Sequence, residues 1–446
     1  MSRQYFGTDG VRGRVGQSPM TPEFALKLGW AAGRVFGRGL PGARVVVGKD
    51  TRRSGYMFES ALEAGFAAAG VETDLLGPLP TPGVAYLTRA LRAQAGVVIS
   101  ASHNPHHDNG VKFFGPDGRK LSDEIELEIE RLIDAPLECV APDQLGRAKR
   151  IDDAAGRYIE FCKGTFGEKN LHGLKLVLDC ANGAAYRVGP AVFEELGADV
   201  TVIGNHPNGL NINAACGSTH LDALKAAVLR SGAALGIALD GDADRCLMVD
   251  ERGEPIDGDQ ILYVIAQWRQ ANGELRGPVV GTQMSNLGVE RAFDALGIAF
   301  QRAQVGDRHV MEMLQASGGM LGGEGSGHII CLDKTTTGDG LVSALQVLAA
   351  LRAQGKSLPE MLSGLRLFPQ VLINVPVQAR AADILARSSV LAAQDEARVR
   401  LGRRGRVLLR ASGTEPLIRV MVEADDMALT QAVAESLAAA VRGTAD

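Results

Sequence analysis

A serine at the end of an apolar segment is the first candidate for chemistry in this chain. The apolar run Gly96–Ile99 gives way to small polar residues that include Ser102 and His103 and end in a proline. This pattern is typical of a short buried strand that ends in an exposed turn. A serine hydroxyl beside a histidine at such a turn is a candidate nucleophile. A capping serine in an ordinary turn has the same local pattern, so the segment alone leaves both interpretations open.

Three alternating aspartates form the second candidate. Asp240, Asp242 and Asp244 directly follow another apolar run, Leu235–Leu239. Carboxylates two residues apart at a strand end can converge on one centre if the backbone curves, and their mutual repulsion then implies a cation. Ligation by oxygen alone favours Mg²⁺ or Mn²⁺ over zinc.

Two other interpretations of the aspartate segment stay open at this point. A calcium-binding EF-hand accounts for Glu251 at loop position twelve, but position six is Arg245 instead of glycine and strands flank the segment. A solvated acidic turn needs no ion at all. With a hard dication, a phosphate oxygen is a natural further ligand. Phosphorylated Ser102, with a charge of about −1.5 to −2, would suit that position, and Arg245 is a candidate phosphate ligand.

A further segment predicts a phosphate site near the C-terminus. Arg410, Ser412, Gly413, Thr414 and Arg419 combine hydroxyls, a glycine backbone and two guanidiniums. Such groups can surround a dianion. An ordinary hairpin turn is the alternative. Because the segment lies beyond the three repeated units described below, we expect it to hold the far phosphate, which does not react.

Other side chains are candidates for binding a phosphorylated sugar, although each alone is more typical of a surface charge or, for the histidine, a structural role. Arg12 and Lys112 carry charges that could neutralise a phosphoryl group during transfer, where most catalysis of that reaction lies. Glu324, Ser326 and His328 offer the donors and acceptors that sugar hydroxyls need.

The elements that must position these residues form a threefold repeat. Each unit has a strand, a helix, a second strand and a third strand. The predicted strands are Arg44–Gly48, Val71–Leu76 and Gly96–Ile99; Leu174–Leu178, Ala198–Ile203 and Leu235–Leu239; and Pro278–Val280, Ile298–Ala303 and Met320–Leu321. Strands that alternate with helices predict parallel sheets covered on both faces. The serine, aspartate and sugar segments each follow a third strand, at the sheet edge where ligands bind in such folds.

The predicted fold class is α/β, with three similar domains of mixed, mostly parallel sheets and a smaller C-terminal α+β domain. We expect boundaries at 1–153, 154–254, 255–368 and 369–446. The last domain is predicted from the strands Val371–Val377, Arg406–Leu409 and Leu417–Val422 and the helix Met427–Val441.

Composition limits the classes of function. The 446 residues are 46% hydrophobic, which supports a large core divided among several domains. A net charge of −5 argues against broad nucleic-acid binding. Six scattered cysteines without a Cys-x-x-Cys pair predict a reducing, cytoplasmic location. The first fifteen residues do not resemble a signal peptide, and no apolar run reaches the ~18 residues of a membrane span.

The chain resembles the α-D-phosphohexomutase family over nearly its whole length. Its motifs occur in family order: the serine loop Ser102–Pro105, the metal loop Asp240–Arg245, the sugar loop Gly323–His328 and the phosphate loop Ser412–Pro416. The resemblance implies four domains in a heart shape around a central cleft.

Within that family, the chain is most similar to the subgroup that acts on glucosamine phosphates. Phe6–Gly13, His107–Phe114 and Asn208–Asn213 carry this similarity, whereas Gly325 replaces the glutamine usual in the subgroup. The implied reaction interconverts glucosamine 6-phosphate and glucosamine 1-phosphate, through phosphoserine 102 and a glucosamine 1,6-bisphosphate intermediate. It would feed the synthesis of UDP-N-acetylglucosamine and the cell wall.

The resemblance also implies a role for each candidate residue. One Mg²⁺ per subunit would be held by the three aspartates and an oxygen of phosphorylated Ser102. Lys112 or His328 would be the general acid/base, with Lys112 preferred. Phosphoglucomutase or phosphomannomutase activity, a Mg²⁺-dependent sugar phosphatase and a non-catalytic binding protein are the alternatives. The partner would be a small phosphosugar, with no nucleic acid and no membrane, and the oligomeric state is open, with a homodimer as one option.

Overall fold

The chain folds around four β-sheets that follow one another in sequence. The computed structural model describes residues 3–7, 9–412 and 416–443. The sheets contain six, five, four and three strands. Over the described residues, no helix has the length and apolar character needed to cross a membrane.

The first sheet carries the serine segment on its third parallel strand. Its elements are β1 (Val11–Arg14), α1 (Pro22–Phe36), β2 (Arg44–Lys49), α2 (Arg53–Ala68), β3 (Glu72–Pro78), α3 (Thr81–Ala90), β4 (Ala95–Ile99), β5 (Asp108–Phe114), α4 (Asp123–Ile133) and β6 (Ala148–Arg150). The strand order is β1-β5-β4-β2-β3-β6. Every residue of β4 is buried, as expected for a central strand covered on both faces.

The second sheet carries the aspartate segment. Its elements are α5 (Ala154–Phe166), β7 (Lys175–Asp179), α6 (Val188–Glu195), β8 (Asp199–Ile203), α7 (Asp222–Ser231), β9 (Leu235–Leu239), β10 (Cys246–Asp250) and β11 (Pro255–Ile256). The strand order is β11-β10-β9-β7-β8. Because β11 folds back on β10 as a short antiparallel return, the sheet extends two residues past the expected domain limit at 254.

The third sheet carries the sugar segment. Its elements are α8 (Gly258–Ala271), β12 (Val279–Thr282), α9 (Leu287–Ala295), β13 (Phe300–Ala303), α10 (Asp307–Ser317), β14 (Leu321–Gly323), β15 (Ile329–Cys331), α11 (Gly340–Gln354) and α12 (Leu358–Met361). The strand order is β13-β12-β14-β15. A capping box between Asp257 and Gln260 fixes the start of α8.

The C-terminal sheet is antiparallel. Its elements are β16 (Gln370–Pro376), α13 (Ala381–Leu385), α14 (Ser388–Leu401), β17 (Gly405–Ala411), β18 (Leu417–Ala424) and α15 (Met427–Arg442), with strand order β16-β18-β17. The helices bury apolar side chains against the sheet in a core of their own.

The predicted threefold repeat is confirmed in the pairing of the strands. In each α/β unit three parallel strands lie in the order second, first, third, and the third pairs with an antiparallel neighbour. The links β4–β5, β9–β10 and β14–β15 therefore occupy equivalent positions. They contain the serine, aspartate and sugar segments, in that order.

One apolar core joins the three α/β units. The cluster that contains Val46 of the first sheet also contains Leu176 of the second and Val279 of the third. Tyr158 on α5 belongs to it and is completely buried. Because this packing is continuous, the three links are held in fixed positions relative to one another.

Candidate functional site

Ser102 lies in a backbone conformation that few residues adopt. Its φ is +51°, in the left-handed region that side chains other than glycine disfavour. The Ser102 amide donates to Ser100 Oγ at 2.9 Å, and that hydroxyl donates to Asp50 Oδ2 at 2.6 Å. The strained turn is thus held by buried hydrogen bonds.

One guanidinium group, of Arg52, and one side-chain amide, of Asn213, hold the other side of the serine turn. Completely buried Arg52 donates to the carbonyl oxygens of Ser102 and Asn104 at 3.2 and 2.5 Å, and it pairs with Asp50. Asn213 Nδ2, from the second unit, donates to the same two carbonyls at 2.9 and 3.0 Å. The turn is therefore clamped between two domains.

The serine hydroxyl meets the aspartate triad directly. Ser102 Oγ donates to Asp240 Oδ2 at 2.5 Å. His103 Nδ1 lies 3.2 Å from Ser102 Oγ, but burial and the nearby Arg245 and Arg12 lower the pKa of His103 to about 4. An imidazole with that pKa is a weak base, which agrees with the absence of any hydrolase motif around Ser102.

The three aspartates converge as their spacing predicts. Asp240, Asp242 and Asp244 are buried, and one carboxylate oxygen from each lies within 4.8 Å of the others. Burial, then the charges of Asp244 and Asp242, raise the pKa of Asp240 well above its ordinary value. Three buried carboxylates this close are unfavourable without a cation.

The residues present fit a hard divalent ion. Asp242 Oδ1 is buried and has no hydrogen-bond partner among the described residues, as expected for an oxygen reserved for a metal. The other oxygen, Asp242 Oδ2, accepts from Thr81 Oγ1 at 2.6 Å and from Lys112 Nζ at 2.8 Å. These partners fix the orientation of the carboxylate and leave Oδ1 available to a metal.

Lys112 lies on β5, next to the triad. Its Nζ is 2.8 Å from Asp242 Oδ2, 3.4 Å from Asp244 Oδ2 and 3.2 Å from Asp9 Oδ2. Burial disfavours the ammonium, but Asp242, Asp9 and Asp244 outweigh it and raise the pKa of Lys112 above its ordinary value. Lys112 is therefore a charged donor in this site. Arg12, on β1, forms an ion pair with Asp9, and Asp9 in turn contacts Lys112.

His328 contacts two carboxylates at opposite edges of its ring. Its Nδ1 is 3.7 Å from Asp244 Oδ1, and its Nε2 is 3.6 Å from Asp307 Oδ2. Burial opposes the charged ring, yet Asp244, Asp307 and Glu324 outweigh it and raise the pKa of His328 to about 8. The ring can therefore carry a proton at neutral pH.

The other two residues of the sugar segment face a different cavity from His328. Glu324 and Ser326 line a cavity of about 450 Å³ that Arg245 and Gln370 also border. His328 lines a separate cavity of about 500 Å³ beside Lys120 and Asp307. The structure thus brings His328 to the triad and places Glu324 and Ser326 in a sugar-sized space beside it. Arg245 borders this space, with its amide donating to Asp240 Oδ1 at 3.1 Å.

The C-terminal arginines form a pair on one sheet. Arg410 on β17 lies directly opposite Arg419 on β18. Burial and the charge of Arg419 lower the pKa of Arg410, which an anion between the two would reverse. Ser412 directly follows β17, and its amide donates to Leu417 O at 2.9 Å. Gly413 and Thr414 lie outside the described residues.

Sequence reasoning missed several side chains that complete the site. Asp50 and Arg52 follow the carboxyl end of β2. The other candidate segments were selected because they follow the carboxyl ends of parallel strands, so the same criterion could have found these two residues. Asp9 sits within the segment that suggested Arg12. Lys120 and Asp307 have no local pattern that marks them, because only the packing of the first unit on the third brings them together.

Comparison with known proteins assigns the fold and site to a class. Phosphoglucomutase/phosphomannomutase family models match most of the chain in four parts: α/β/α domain I over residues 3–138, domain II over 156–253, domain III over 257–368 and the C-terminal domain over 372–440. The chain belongs to the phosphoglucomutase/phosphomannomutase family.

Among individual proteins, the chain is similar to bacterial phosphoglucosamine mutases. It is 60% identical to that of Alkalilimnicola ehrlichii over 443 residues, covering 99% of this chain and 98% of the relative. It is 61% identical to that of Methylococcus capsulatus over 445 residues, covering 99% of each.

A solved structure shares the architecture. A phosphoglucomutase/phosphomannomutase family protein from Burkholderia thailandensis superposes with a TM-score of 0.84 at 25% identity, covering 100% of this chain and 98% of the other. Its match over the full length extends the likeness to all four domains.

Proposed function

We propose that the protein interconverts glucosamine 6-phosphate and glucosamine 1-phosphate through a phosphorylated Ser102. The observation that carries the proposal is the 2.5 Å hydrogen bond from Ser102 Oγ to Asp240, which sets the hydroxyl against a cluster of three carboxylates. Relatives about 60% identical over nearly the full chain carry the name of this activity. The product would be a precursor of UDP-N-acetylglucosamine and hence of the cell wall.

The phosphoryl group moves twice in this scheme. The bond from phosphorus to Ser102 Oγ breaks as a bond to the sugar O1 forms, which gives glucosamine 1,6-bisphosphate. The bisphosphate then presents its 6-phosphoryl group, which returns to Ser102 Oγ and leaves glucosamine 1-phosphate. In each transfer the attacking hydroxyl loses a proton and the departing oxygen gains one.

Lys112 is the preferred general acid/base, and His328 is the alternative. The buried ammonium of Lys112 touches Asp242 and Asp244, so it can donate to an oxygen beside the triad. His328, with a pKa of about 8, can exist in both protonation states near neutral pH. Arg12 adds positive charge for the phosphoryl group in transfer.

The metal in this proposal is one Mg²⁺ per subunit. Asp240, Asp242 and Asp244 would hold it together with an oxygen of phosphorylated Ser102, because all four ligands are hard oxygens. When bound, the ion supplies positive charge to the phosphoryl group during transfer.

The rest of the substrate is assigned to two further sets of residues. Glu324 and Ser326 face the cavity of about 450 Å³ and would bind sugar hydroxyls. His328, which lines the separate cavity of about 500 Å³, is assigned to the sugar as well. Arg245 borders the same cavity and would contact a phosphate. The distal phosphate is assigned to Arg410, Ser412, Gly413, Thr414 and Arg419 as one group.

A broader sugar range is the second candidate. Gly325 lines the same cavity without a side chain, and a Cβ built there would still lie 3.7 Å from the Asp259 carboxylate. The space left open is compatible with glucose or mannose phosphates. Gly325→Gln, with Gly325→Ala as control, should narrow the range if this space admits the other sugars.

The deciding experiment combines a mutase assay with intact-mass measurement. The wild type should convert glucosamine 6-phosphate to glucosamine 1-phosphate and carry one phosphate that is absent in Ser102→Ala. Ser60→Ala, which alters an exposed helical serine, is the matched control. Full activity in Ser102→Ala would exclude the phosphoserine route, and release of inorganic phosphate without isomerised product would indicate a phosphatase.

The setting of the reaction is part of the proposal. We assign it to the cytoplasm, since all six cysteines are free thiols. We retain the functional division at 1–153, 154–254, 255–368 and 369–446, with a homodimer as the assembly to test by sedimentation.

A further inference from the structure

Six charged side chains form a closed ring, and one of them is Asp244 of the aspartate triad. From Lys112 the ring passes to Asp9 at 3.2 Å, then to Lys120 at 2.5 Å, then to Asp307 at 2.5 Å. It returns through His328, 3.6 Å from Asp307 and 3.7 Å from Asp244, and closes with the 3.4 Å contact between Asp244 and Lys112.

The ring alternates in sign and joins all three α/β units. Lys112, Asp9 and Lys120 come from the first unit, Asp244 from the second, and Asp307 and His328 from the third. Both candidates for the general acid/base are members. The other four side chains therefore link these two candidates through direct contacts.

We propose that Lys120 is a positioning residue that fixes Lys112 and His328 relative to each other by joining Asp9 to Asp307. Within the described residues its ion pairs go only to these two carboxylates. It touches no member of the aspartate triad and does not line the cavity of Glu324 and Ser326. The inference rests on the proposed mutase function.

The electrostatics explain why one lysine has this effect. Asp9 and Asp307 each lie 2.5 Å from the same Nζ, so their carboxylates are close to each other. Without the ammonium they repel across the boundary between the first and third units. Asp9 would stay with Arg12 and Lys112, while Asp307 would keep only the more distant His328 among its ring partners. A local shift of the Asp307 side chain away from Asp9 would then move His328, which contacts Asp307, relative to Lys112.

The chain offers a closely matched control lysine. Lys163, on α5, also bridges two carboxylates, those of Glu160 and Glu195, at 2.7 and 2.5 Å. The side chains of Lys120 and Lys163 are 18% and 21% exposed. Lys163→Met therefore removes the same number of ion pairs from a lysine of similar exposure. Neither of its partners, Glu160 and Glu195, belongs to the ring.

The test measures kcat and KM for glucosamine 6-phosphate in Lys120→Met, Lys120→Arg and Lys163→Met. We expect kcat of Lys120→Met to fall about 10- to 100-fold, since misplacement of reacting groups by about 1 Å can cost 10²-fold. KM should change much less than kcat, because Lys120 does not line the cavity of Glu324 and Ser326. Lys120→Arg, which keeps the charge and two donors, should recover at least half of the loss on a logarithmic scale.

Several results would overturn the inference. These are a kcat of Lys120→Met within threefold of wild type, a loss equal to that of Lys163→Met, a loss confined to KM, or no recovery in Lys120→Arg. An inactive wild type would instead contradict the proposed function itself.

A double-mutant cycle covers the case in which Lys120→Met does not fold. Lys120→Gln and Asp307→Asn act on one ring, so the double variant should be no slower than the slower single variant. Multiplicative losses would show that the two residues act independently and would refute the ring. The melting temperature of each variant separates a positioning effect from general destabilisation.

Discussion

The hydroxyl of Ser102 donates a 2.5 Å hydrogen bond to Asp240, a residue 138 positions later on a different sheet. Both lie in the link that follows the third parallel strand of their unit, Asp240 directly after β9 and Ser102 three residues after the end of β4. A phosphate on Ser102 Oγ would lie at the triad without any change of domain arrangement. The contact therefore distinguishes Ser102 from a serine that only forms a turn, because its hydroxyl has a specific carboxylate partner.

Divalent metal should stabilise the protein, and Asp240→Asn should abolish much of that effect. A ligand that binds only the folded state adds about 2.7 kcal/mol at 100 times its Kd. The raised pKa of Asp240 shows that its charge is unfavourable in the metal-free cluster. Asp240→Asn should therefore melt higher than wild type without metal and gain little from Mg²⁺.

Thermal unfolding with EDTA and with added Mg²⁺ checks this prediction. Asp250→Asn changes a buried aspartate on β10 that lies outside the triad and should keep the Mg²⁺ response of wild type. An equal Mg²⁺ shift in Asp240→Asn and wild type would argue against metal binding by the triad.

The fold was more predictable than the contacts that complete the site. Strand-helix alternation and the ends of β4 and β9 could be predicted because buried parallel strands leave continuous apolar runs. The third strand of the third unit was predicted to end at Leu321, but β14 continues through two glycines to Gly323. Asp240, Asp242 and Asp244 were readable because their spacing is local. Lys120 and Asp307 were not, since 187 residues separate them and only domain packing makes them neighbours. Arg52 was overlooked because two of its partners are backbone carbonyls of the serine turn, which no side-chain pattern reveals.

Arg52→Lys should slow catalysis more than it weakens substrate binding. The guanidinium bonds two carbonyls of the serine turn and Asp50 at once, which a single ammonium does not reproduce. The turn holds Ser102 at a φ of +51° and should relax when this contact is lost. We expect kcat to fall by roughly 10- to 100-fold.

Steady-state kinetics beside Arg269→Lys tests that expectation. Arg269 is also a buried arginine, paired with Asp333 and Gln346, but it has no contact with the serine turn among the described residues. Its lysine variant should lose stability and keep kcat. Similar kcat values for both variants would mean that Arg52 has no special role at Ser102.

Arg410→Met should raise KM with little change in kcat. Arg410 faces Arg419 across β17 and β18, and the charge-assisted bonds of such a pair to a distal phosphate are made equally in ground and transition states. We expect KM to rise about 10-fold or more. Exposed Arg398→Met should leave KM unchanged, and a loss confined to kcat in Arg410→Met would contradict the distal-phosphate assignment.

Asp339 gives the fold a pH dependence whose sign follows from its burial. The side chain is completely buried at the start of α11, where Oδ1 accepts from Val342 N at 3.0 Å and Oδ2 accepts from Tyr158 Oη at 2.8 Å. Burial raises the pKa of Asp339 to about 6, from 3.8. The folded state therefore binds this proton more tightly than the unfolded chain does. Its contribution to stability is fully present below about pH 4 and is lost as the pH rises through about 6.

Asp339→Asn should remove this pH dependence, because the amide resembles the protonated acid and still caps α11. Two pKa units correspond to roughly 3 kcal/mol. The variant should match wild type near pH 4 and exceed it by up to about that amount above pH 7, as measured by denaturant unfolding at a series of pH values. Asp426→Asn, at the exposed N-cap of α15, is the control that should show no such divergence. If the difference between Asp339→Asn and wild type were constant from pH 4 to 8, the buried carboxylate would not be the source of the dependence.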